Sequence, residues 1–345
     1  MKLAVLNNAV PFVQGGAEHL ADALSAKLCE YGHQALLVRI PFRWEPPSKI
    51  LEHMLACRLM RIPGVDRVIA FKFPAFYVPH EDKVLWLLHQ FRQAYDLWGT
   101  ALQGLPDSLE GREIRDCILT ADNSYLTEVN NIFTNSEITS GRLKTFNGLK
   151  SEVLHPPLLN PEQFSCSEYG NYIFAPGRIN EAKRQQLLVE SMEFCRSPVK
   201  LIVAGKAERK EDAEAIRAII HKRGLQDRVE FIERFITENE KVEWFSRALA
   251  CAYIPYDEDS YGYVTLESFL SRKPVITCVD SGGIHELVKD RATGRVVASD
   301  AKDLAGAMDA LYQNKAGARR MGEAGYDLAQ TLDISWDRVI RVLTS

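Results

Sequence analysis

The feature that most constrains this chain is an exchange of short apolar runs with longer amphipathic ones, sustained nearly end to end. Residues 3–7, 35–39, 68–71, 83–88, 131–135 and 152–154 read as short strands, largely apolar in their middles, and 16–32 carries Leu20, Leu24 and Leu28 at helical spacing. Strands that alternate with helices pair in parallel, with helices on both faces of the sheet. The rhythm breaks once. His155-Pro156-Pro157-Leu158-Leu159-Asn160-Pro161 cannot be helical, and a polar stretch follows it, so 154–170 reads as a linker. The pattern restarts at 172–177 and continues through 200–205, 229–232, 249–254 and 274–277. The expected fold is α/β: two Rossmann-like, doubly wound domains, 1–158 and 170–330, facing across a cleft, with ligands beyond the strand C-termini. Residues 336–343 read as a final amphipathic helix.

Composition narrows the function classes. A length of 345 residues suits two domains, and a net charge of −4 gives no footprint for nucleic acid. Met1-Lys2-Leu3-Ala4-Val5-Leu6 is a strand without the apolar core or cleavage site of a signal peptide. No apolar run approaches the roughly 18 residues of a membrane span. The seven cysteines are scattered without a Cys-x-x-Cys pair, which fits a reducing cytoplasm and speaks against zinc.

The richest stretch is Asp259-Ser260-Tyr261-Gly262-Tyr263-Val264-Thr265-Leu266-Glu267. The run 249–255 before it reads as a buried strand, and 264–270 as a helix opening, with Glu267 about two turns in. Gly262 lets backbone approach a ligand where free amides favour an anion. A phosphate on those amides, with a carboxylate gripping sugar hydroxyls nearby, outlines a nucleotide-sugar site; the plain alternative is solvated acids at a helix start. Tyr261, Tyr263 and Val264 complete the turn. Gly177-Arg178-Ile179-Asn180-Glu181-Ala182-Lys183-Arg184 follows the first strand of the second domain. Arg178 and Lys183 suit a diphosphate, or are two surface cations. Gly177 and Gly205, closing two strands, are read with this donor site.

In the first domain, Asn7-Asn8 lead to Gly15-Gly16-Ala17-Glu18. A glycine pair opening a helix lets amides face an anion or sugar, or makes a tight turn. Gly-x-Gly-x-x-Gly is absent, which counts against a nicotinamide enzyme. His89 ends an apolar strand, where a polar side chain points toward ligand; the plain alternative is a structural histidine. Arg92 and Asp96 bind acceptor or pair with each other at i,i+4. Ser136 in Thr134-Asn135-Ser136 reads as a helix cap. In Ser281-Gly282-Gly283-Ile284-His285-Glu286 the glycines line the ligand side, Glu286 caps or pairs, and His285 packs or faces solvent. Residues 49–61 form a helix with Ile50, Met54 and Leu55 on one face and His53, Arg58 and Arg61 among the rest. It is either a packed helix or one that touches anionic lipid.

The Asp259–Glu267 block resembles the Glu-x7-Glu signature of family 4 glycosyltransferases, which have the GT-B fold; Asp259, shorter by one methylene, stands where the family carries its first Glu. Gly177-Arg178…Lys183 resembles the family's Gly-Arg…Lys element, Gly15-Gly16-Ala17-Glu18 its Gly-Gly-x-Glu element, and Gly282 to Glu286 its Gly-Gly-x-x-Glu loop. Members place a His where His89 stands. The resemblance implies retaining, metal-independent transfer from a nucleotide-diphosphate sugar, with no cofactor, to a glycan, lipid-linked or other hydroxyl acceptor in cell-surface polysaccharide or glycoconjugate synthesis. The first domain binds acceptor and the second binds donor. Arg178 and Lys183 stabilise the leaving diphosphate, and Glu267 holds the ribose. Asp259 and the amides around Gly262 orient the donor sugar, and His89 positions donor or acceptor. The final helix, within 331–345, crosses back onto the first domain. The expected location is cytoplasmic, with a peripheral contact at the inner face of the cell membrane as a further reading. Rival readings are a nucleotide-sugar epimerase of the same architecture and an inactive sugar-binding partner subunit. Donor base, sugar, acceptor and oligomeric state stay open.

Overall fold

The computed structural model describes residues 1–10, 15–100 and 102–345. The chain divides into two compact units, Met1–Pro157 with Ser335–Ser345, and Leu158–Ile334.

In the first unit the strands are β1 (Lys2–Ala9), β2 (Gln34–Pro41), β3 (Arg67–Ala70), β4 (Lys83–Leu87), β5 (Asn131–Thr134) and β6 (Glu152–Val153). They form one parallel sheet in the order β2-β1-β3-β4-β5-β6. The helices are α1 (Gly16–Glu30), α2 (Lys49–Leu59), α3 (Leu109–Tyr125) and α4 (Glu137–Asn147). Strand alternation explains why the apolar runs are unbroken. Ala4 and Leu6 of β1 enter one buried cluster with Leu85 and Leu87 of β4, while Leu3 and Val5 enter another with Val84 and Trp86. Both faces are covered, so both sets of side chains must be apolar. Leu20, Leu24 and Leu28 of α1 pack into the second cluster.

The second unit repeats the plan with β7 (Tyr172–Pro176), β8 (Lys200–Ala204), β9 (Val229–Ile232), β10 (Ala250–Ala252), β11 (Val275–Cys278) and β12 (Gly294–Val297). All neighbours are parallel, in the order β12-β11-β10-β7-β8-β9. Its helices are α5 (Gln185–Ser191), α6 (Lys210–Lys222), α7 (Glu238–Arg247), α8 (Tyr263–Leu270), α9 (Ala301–Gln313) and α10 (Lys315–Thr331). The winding reverses between β7 and β10, and an open parallel sheet leaves a crevice outside the strand C-termini at such a point.

Helix α11 (Trp336–Thr344) belongs to the first unit. Trp336, Val339, Ile340 and Leu343 are buried with Leu3, Val5 and Leu20. Each such side chain contributes about 1.5–3 kcal/mol on burial. Arg67 donates to the Leu343 carbonyl at 2.9 Å and adds a polar clasp.

Two local expectations shift. Residues 158–170 are an ordered strap on the second unit. Leu158 and Phe164 are buried there, and the Ser167 and Gly170 amides donate to the Ser246 and Arg247 carbonyls at 2.9 and 3.0 Å. On α2 the buried stripe is Ile50, Met54 and Cys57, while Leu55 is exposed. Cys57 fits the helical period from Ile50 and Met54; Leu55 lies on the opposite side of the turn. Among the described residues no helix is long and apolar enough to cross a membrane.

One polar group sits deep in the first unit. Asp122 of α3 accepts from the Tyr77 and Tyr95 hydroxyls, each at 2.6 Å. Burial pushes its carboxyl up to about 7, against the pull of those two bonds. The folded chain therefore holds this proton more tightly than the unfolded chain does. The resulting stabilisation is full below the ordinary aspartate range and is lost as pH rises through the folded value. Urea unfolding of the wild type should lose on the order of 1–3 kcal/mol between pH 5 and pH 8 from this group. Asp122→Asn, which mimics the protonated acid, should lack that loss. Parallel pH profiles would contradict the assignment.

Candidate functional site

The crevice at the β7/β10 switch point is built by three loops. The first follows β7. Its 3-10 turn Glu181–Lys183 is capped by Asn180, whose Oδ1 accepts from the Lys183 amide at 3.0 Å. The cap fixes where Lys183 starts. Its ammonium then donates to the Tyr253 hydroxyl at 2.8 Å and to the Glu258 carboxylate. Burial works against that charge, but Tyr253 and Glu258 outweigh it and hold the ammonium above its ordinary value. Lys183 stays a cation through the physiological range.

Tyr253, just past β10, is seated by Gly262. That residue has φ 71°, and a Cβ there would collide with the Tyr253 ring. Gly262 thus serves the Tyr253–Lys183 contact and also opens α8. The helix begins at Tyr263, so Glu267 is its fifth residue, just over one turn in rather than two. Glu267 is buried and accepts from Lys241 of α7 at 2.5 Å. Burial pushes its carboxyl up, and Lys241 opposes the shift. Tyr261 is buried, Tyr263 and Val264 are half-buried at the first positions of α8, and Asp259 is half-buried on the loop before them. Gly205 follows β8, where a Cβ would collide with the Gly177 carbonyl. Its bare backbone lets the two strand ends pass.

Arg178, next to Gly177, has a side chain 50% exposed, and its Nε lies 3.9 Å from Glu208. The adjacent Arg184 is a brace. Its guanidinium meets both Asp280 carboxylate oxygens at 2.8 Å and donates to the Ile254 and Pro255 carbonyls at 2.7 and 2.8 Å. These contacts tie the β7, β10 and β11 loops together. The Glu258 amide donates to the Ser281 carbonyl at 3.3 Å, and the Gly283 amide to the Glu258 carbonyl at 2.8 Å. The Ser281–Glu286 loop therefore supports Glu258 through backbone, and His285 Nε2 lies 3.2 Å from the Val279 carbonyl.

The first unit offers a second polar set. His89, two residues beyond β4, places Nδ1 at 2.7 Å from the Gln90 carbonyl. Arg92 and Asp96 form the i,i+4 ion pair, at 2.6 Å, with Arg142 at 3.4 Å from Asp96. Ser136 caps α4, accepting from the Thr139 amide at 3.0 Å. Gly15 caps α1 and Gly16 opens it, while residues 11–14 of that loop lie outside the described residues. Glu18 pairs with Lys72 at 3.0 Å. At the end of β1 both polar atoms of the Asn7 side chain are buried without a hydrogen-bond partner among the described residues, as is Asn8 Oδ1. Among the described residues no group of three or more His, Cys, Asp or Glu is placed to hold a metal ion.

Sequence reasoning named Lys183 and Glu267 but missed Glu258, Tyr253, Arg184 and Lys241. The carboxylate run Asp257-Glu258-Asp259 was the available signal for Glu258.

Comparison with known proteins places this architecture. The sequence model of the glycosyl transferases group 1 family matches residues 160–328. These residues belong to the glycosyl transferases group 1 family. Curated relatives include an alpha-maltose-1-phosphate synthase of Mycobacterium tuberculosis, 33% identical over 178 residues. That alignment covers 46% of this chain and 46% of the relative. A D-inositol 3-phosphate glycosyltransferase of Xylanimonas cellulosilytica is 28% identical over 126 residues, 36% of this chain and 30% of the relative. The chain thus spans less than half the length of these curated relatives. Solved structures share the whole fold. Sucrose-phosphate synthase from Thermosynechococcus elongatus aligns with a TM-score of 0.79 at 18% identity, covering 99% of this chain and 97% of its own. Anabaena Alr3699/HepE, solved with UDP and glucose, aligns with a TM-score of 0.75 at 16% identity, covering 100% and 99%. The chain has the GT-B fold.

Two substitutions test this geometry. Arg184→Lys keeps the charge but loses the fork, and should destabilise the second unit by about 3 kcal/mol in urea unfolding. A change under about 1 kcal/mol would mean the loops hold without it. Asn7→Leu removes a buried amide that has no partner among the described residues, at nearly constant volume, and should raise stability by about 1 kcal/mol. Destabilisation would show that the amide has a partner after all.

Proposed function

We propose that this chain is a retaining, metal-independent glycosyltransferase that moves a sugar from a nucleotide-diphosphate sugar to a hydroxyl acceptor on a glycan or lipid-linked glycan. The observation that carries this reading is the cation pair at the β7/β10 crevice. Arg178 is half-exposed on the loop after β7. Lys183 is held charged by Tyr253 and Glu258 five residues further on. Charge builds on the diphosphate as the sugar leaves, and fixed cations in a partly buried site stabilise that charge. The match to the group 1 family over the second unit supports a nucleotide sugar as donor. The fold shared with a protein solved with UDP-glucose makes uridine nucleotides the first to try.

Roles follow from placement. Gly177, Gly262 and the first amides of α8 receive the phosphates, with Tyr263 and Val264 at that helix opening. Glu267, oriented by Lys241, accepts from the ribose hydroxyls. Asp259 lies on the approach to α8 and orients the donor sugar. In the first unit, His89 positions the reacting groups, and Gly15, Gly16 and the buried Asn7 amide receive acceptor or sugar hydroxyls. Retention needs no strong protein base, because the departing phosphate can take the acceptor proton. On this reading the protein is cytoplasmic, with a peripheral contact at the inner face of the cell membrane as a further reading.

Arg178→Ala should lower turnover on the order of 100-fold, about 3 kcal/mol of charge stabilisation, with unfolding unchanged. Wild-type turnover should survive EDTA. Near-normal turnover of the variant at saturating donor would remove the diphosphate assignment. A product whose anomeric configuration, read by NMR, is opposite to the donor's would falsify retention and reopen His89 as a general base.

A further inference from the structure

The seven cysteines are unequal. Cys57, Cys195, Cys251 and Cys278 are buried, and burial pushes each thiol up, Cys57 and Cys195 to about 12. Cys29 and Cys117 are exposed. Cys166 differs from both sets. It is part-exposed on the strap that follows the unit boundary, and its Sγ lies 3.1 Å from Lys273 Nζ. Lys273 is fully buried, just ahead of β11. No carboxylate pairs with it among the described residues; its other polar contact is the Glu168 carbonyl. Its ammonium also lies 4.1 Å from the centre of the Tyr169 ring, whose hydroxyl donates to the Arg272 carbonyl. Ser268 Oγ donates to the Lys273 carbonyl at 2.9 Å, fixing the lysine from its other side. The sulfur and the amine nitrogen are thus held in direct contact, the pair of atoms that a covalent S–N link would join. Burial in turn pulls Lys273 below its ordinary value, which eases its conversion to a nucleophilic amine.

We propose that Cys166 and Lys273 form a peroxide-sensitive modification site, in which the oxidised Cys166 sulfur is captured by the Lys273 amine as a sulfenamide. The Cys166 thiolate attacks a hydrogen peroxide oxygen. The S–O bond forms, the O–O bond breaks, and the departing hydroxide takes a proton from the Lys273 ammonium and leaves as water. The sulfur is oxidised and the peroxide reduced. The neutral Lys273 nitrogen then attacks the sulfenic sulfur. The S–N bond forms, the S–O bond breaks, and a second water leaves. In sum, thiol, amine and one peroxide give the S–N link and two waters. Sulfenic acids condense in this way with nearby nitrogen, and thiols reverse the link. The link would pin the strap to the start of β11. It sits at the N-terminal end of that strand, away from the crevice, and does not depend on the transferase reading.

The full chain is treated with hydrogen peroxide, digested without reductant and mapped by mass spectrometry. The expected result is one linked peptide pair joining Cys166 to Lys273, lighter than the sum of its parts by two hydrogens and separated by dithiothreitol. Cys166 should lose its reactivity toward iodoacetamide before Cys29 and Cys117 do. In Lys273→Arg the cation remains but the amine is gone, so Cys166 should proceed to sulfinic acid with no link. If that variant does not fold, the wild-type map decides alone. Cys166 remaining as alkylatable as Cys29 and Cys117, or oxidising without a bond to Lys273, would overturn the proposal.

Discussion

The crevice of the second unit depends on one guanidinium. Arg184 adopts a left-handed backbone, φ 55°, unusual for a residue with a side chain. From there it reaches carbonyls just past β10 and a carboxylate just past β11. A planar fork can satisfy a carboxylate and two carbonyls at once, which an ammonium cannot match. Asp280 in turn is held below its ordinary range, chiefly by Arg184, and also accepts from Ser299 at 2.6 Å. The strained backbone is tolerated because these contacts over-determine it. The Lys183–Glu258 pair leans on this brace: Lys183 precedes Arg184 in sequence, and Glu258 is supported through the Ser281–Gly283 backbone next to Asp280.

The charges at the crevice form two pairs of different character. Lys183 with Glu258 and Tyr253 is a cation kept charged despite burial. Glu267 with Lys241 is a carboxylate that burial resists and a lysine compensates. Breaking a buried pair leaves an uncompensated charge, so each partner fixes the other's position as much as it adds stability. Beside them Arg178 is half-exposed.

Much of the fold was legible because it rests on short-range pattern. A short apolar run such as 84–88, flanked by polar residues, fits a strand covered on both faces, and the Leu20-Leu24-Leu28 spacing fits a helix face. Ser136 was readable as a cap because capping is local. What sequence could not supply was pairing through space. Lys183 and Glu258 are separated by 75 positions, and Arg184 and Asp280 by 96. Nothing in either neighbourhood names the other. The strap 158–170 misled for the same reason: its prolines announce irregular backbone correctly, but its docking uses distant partners on α7 and ahead of β11. On α2, Leu55 was placed inside by hydrophobicity, where the angular position of Cys57 decided instead.

The central claim is that the β7/β10 crevice binds a nucleoside diphosphate through protein cations. Calorimetric titration of the full chain with UDP, GDP, ADP and TDP in the presence of EDTA tests it most directly, with the same series run on Lys183→Ala. The account predicts that one nucleotide binds the wild type without metal and that the variant loses about tenfold or more in affinity, the worth of one charge-assisted contact. Binding that needs added metal, or that is equally tight in Lys183→Ala, would contradict it.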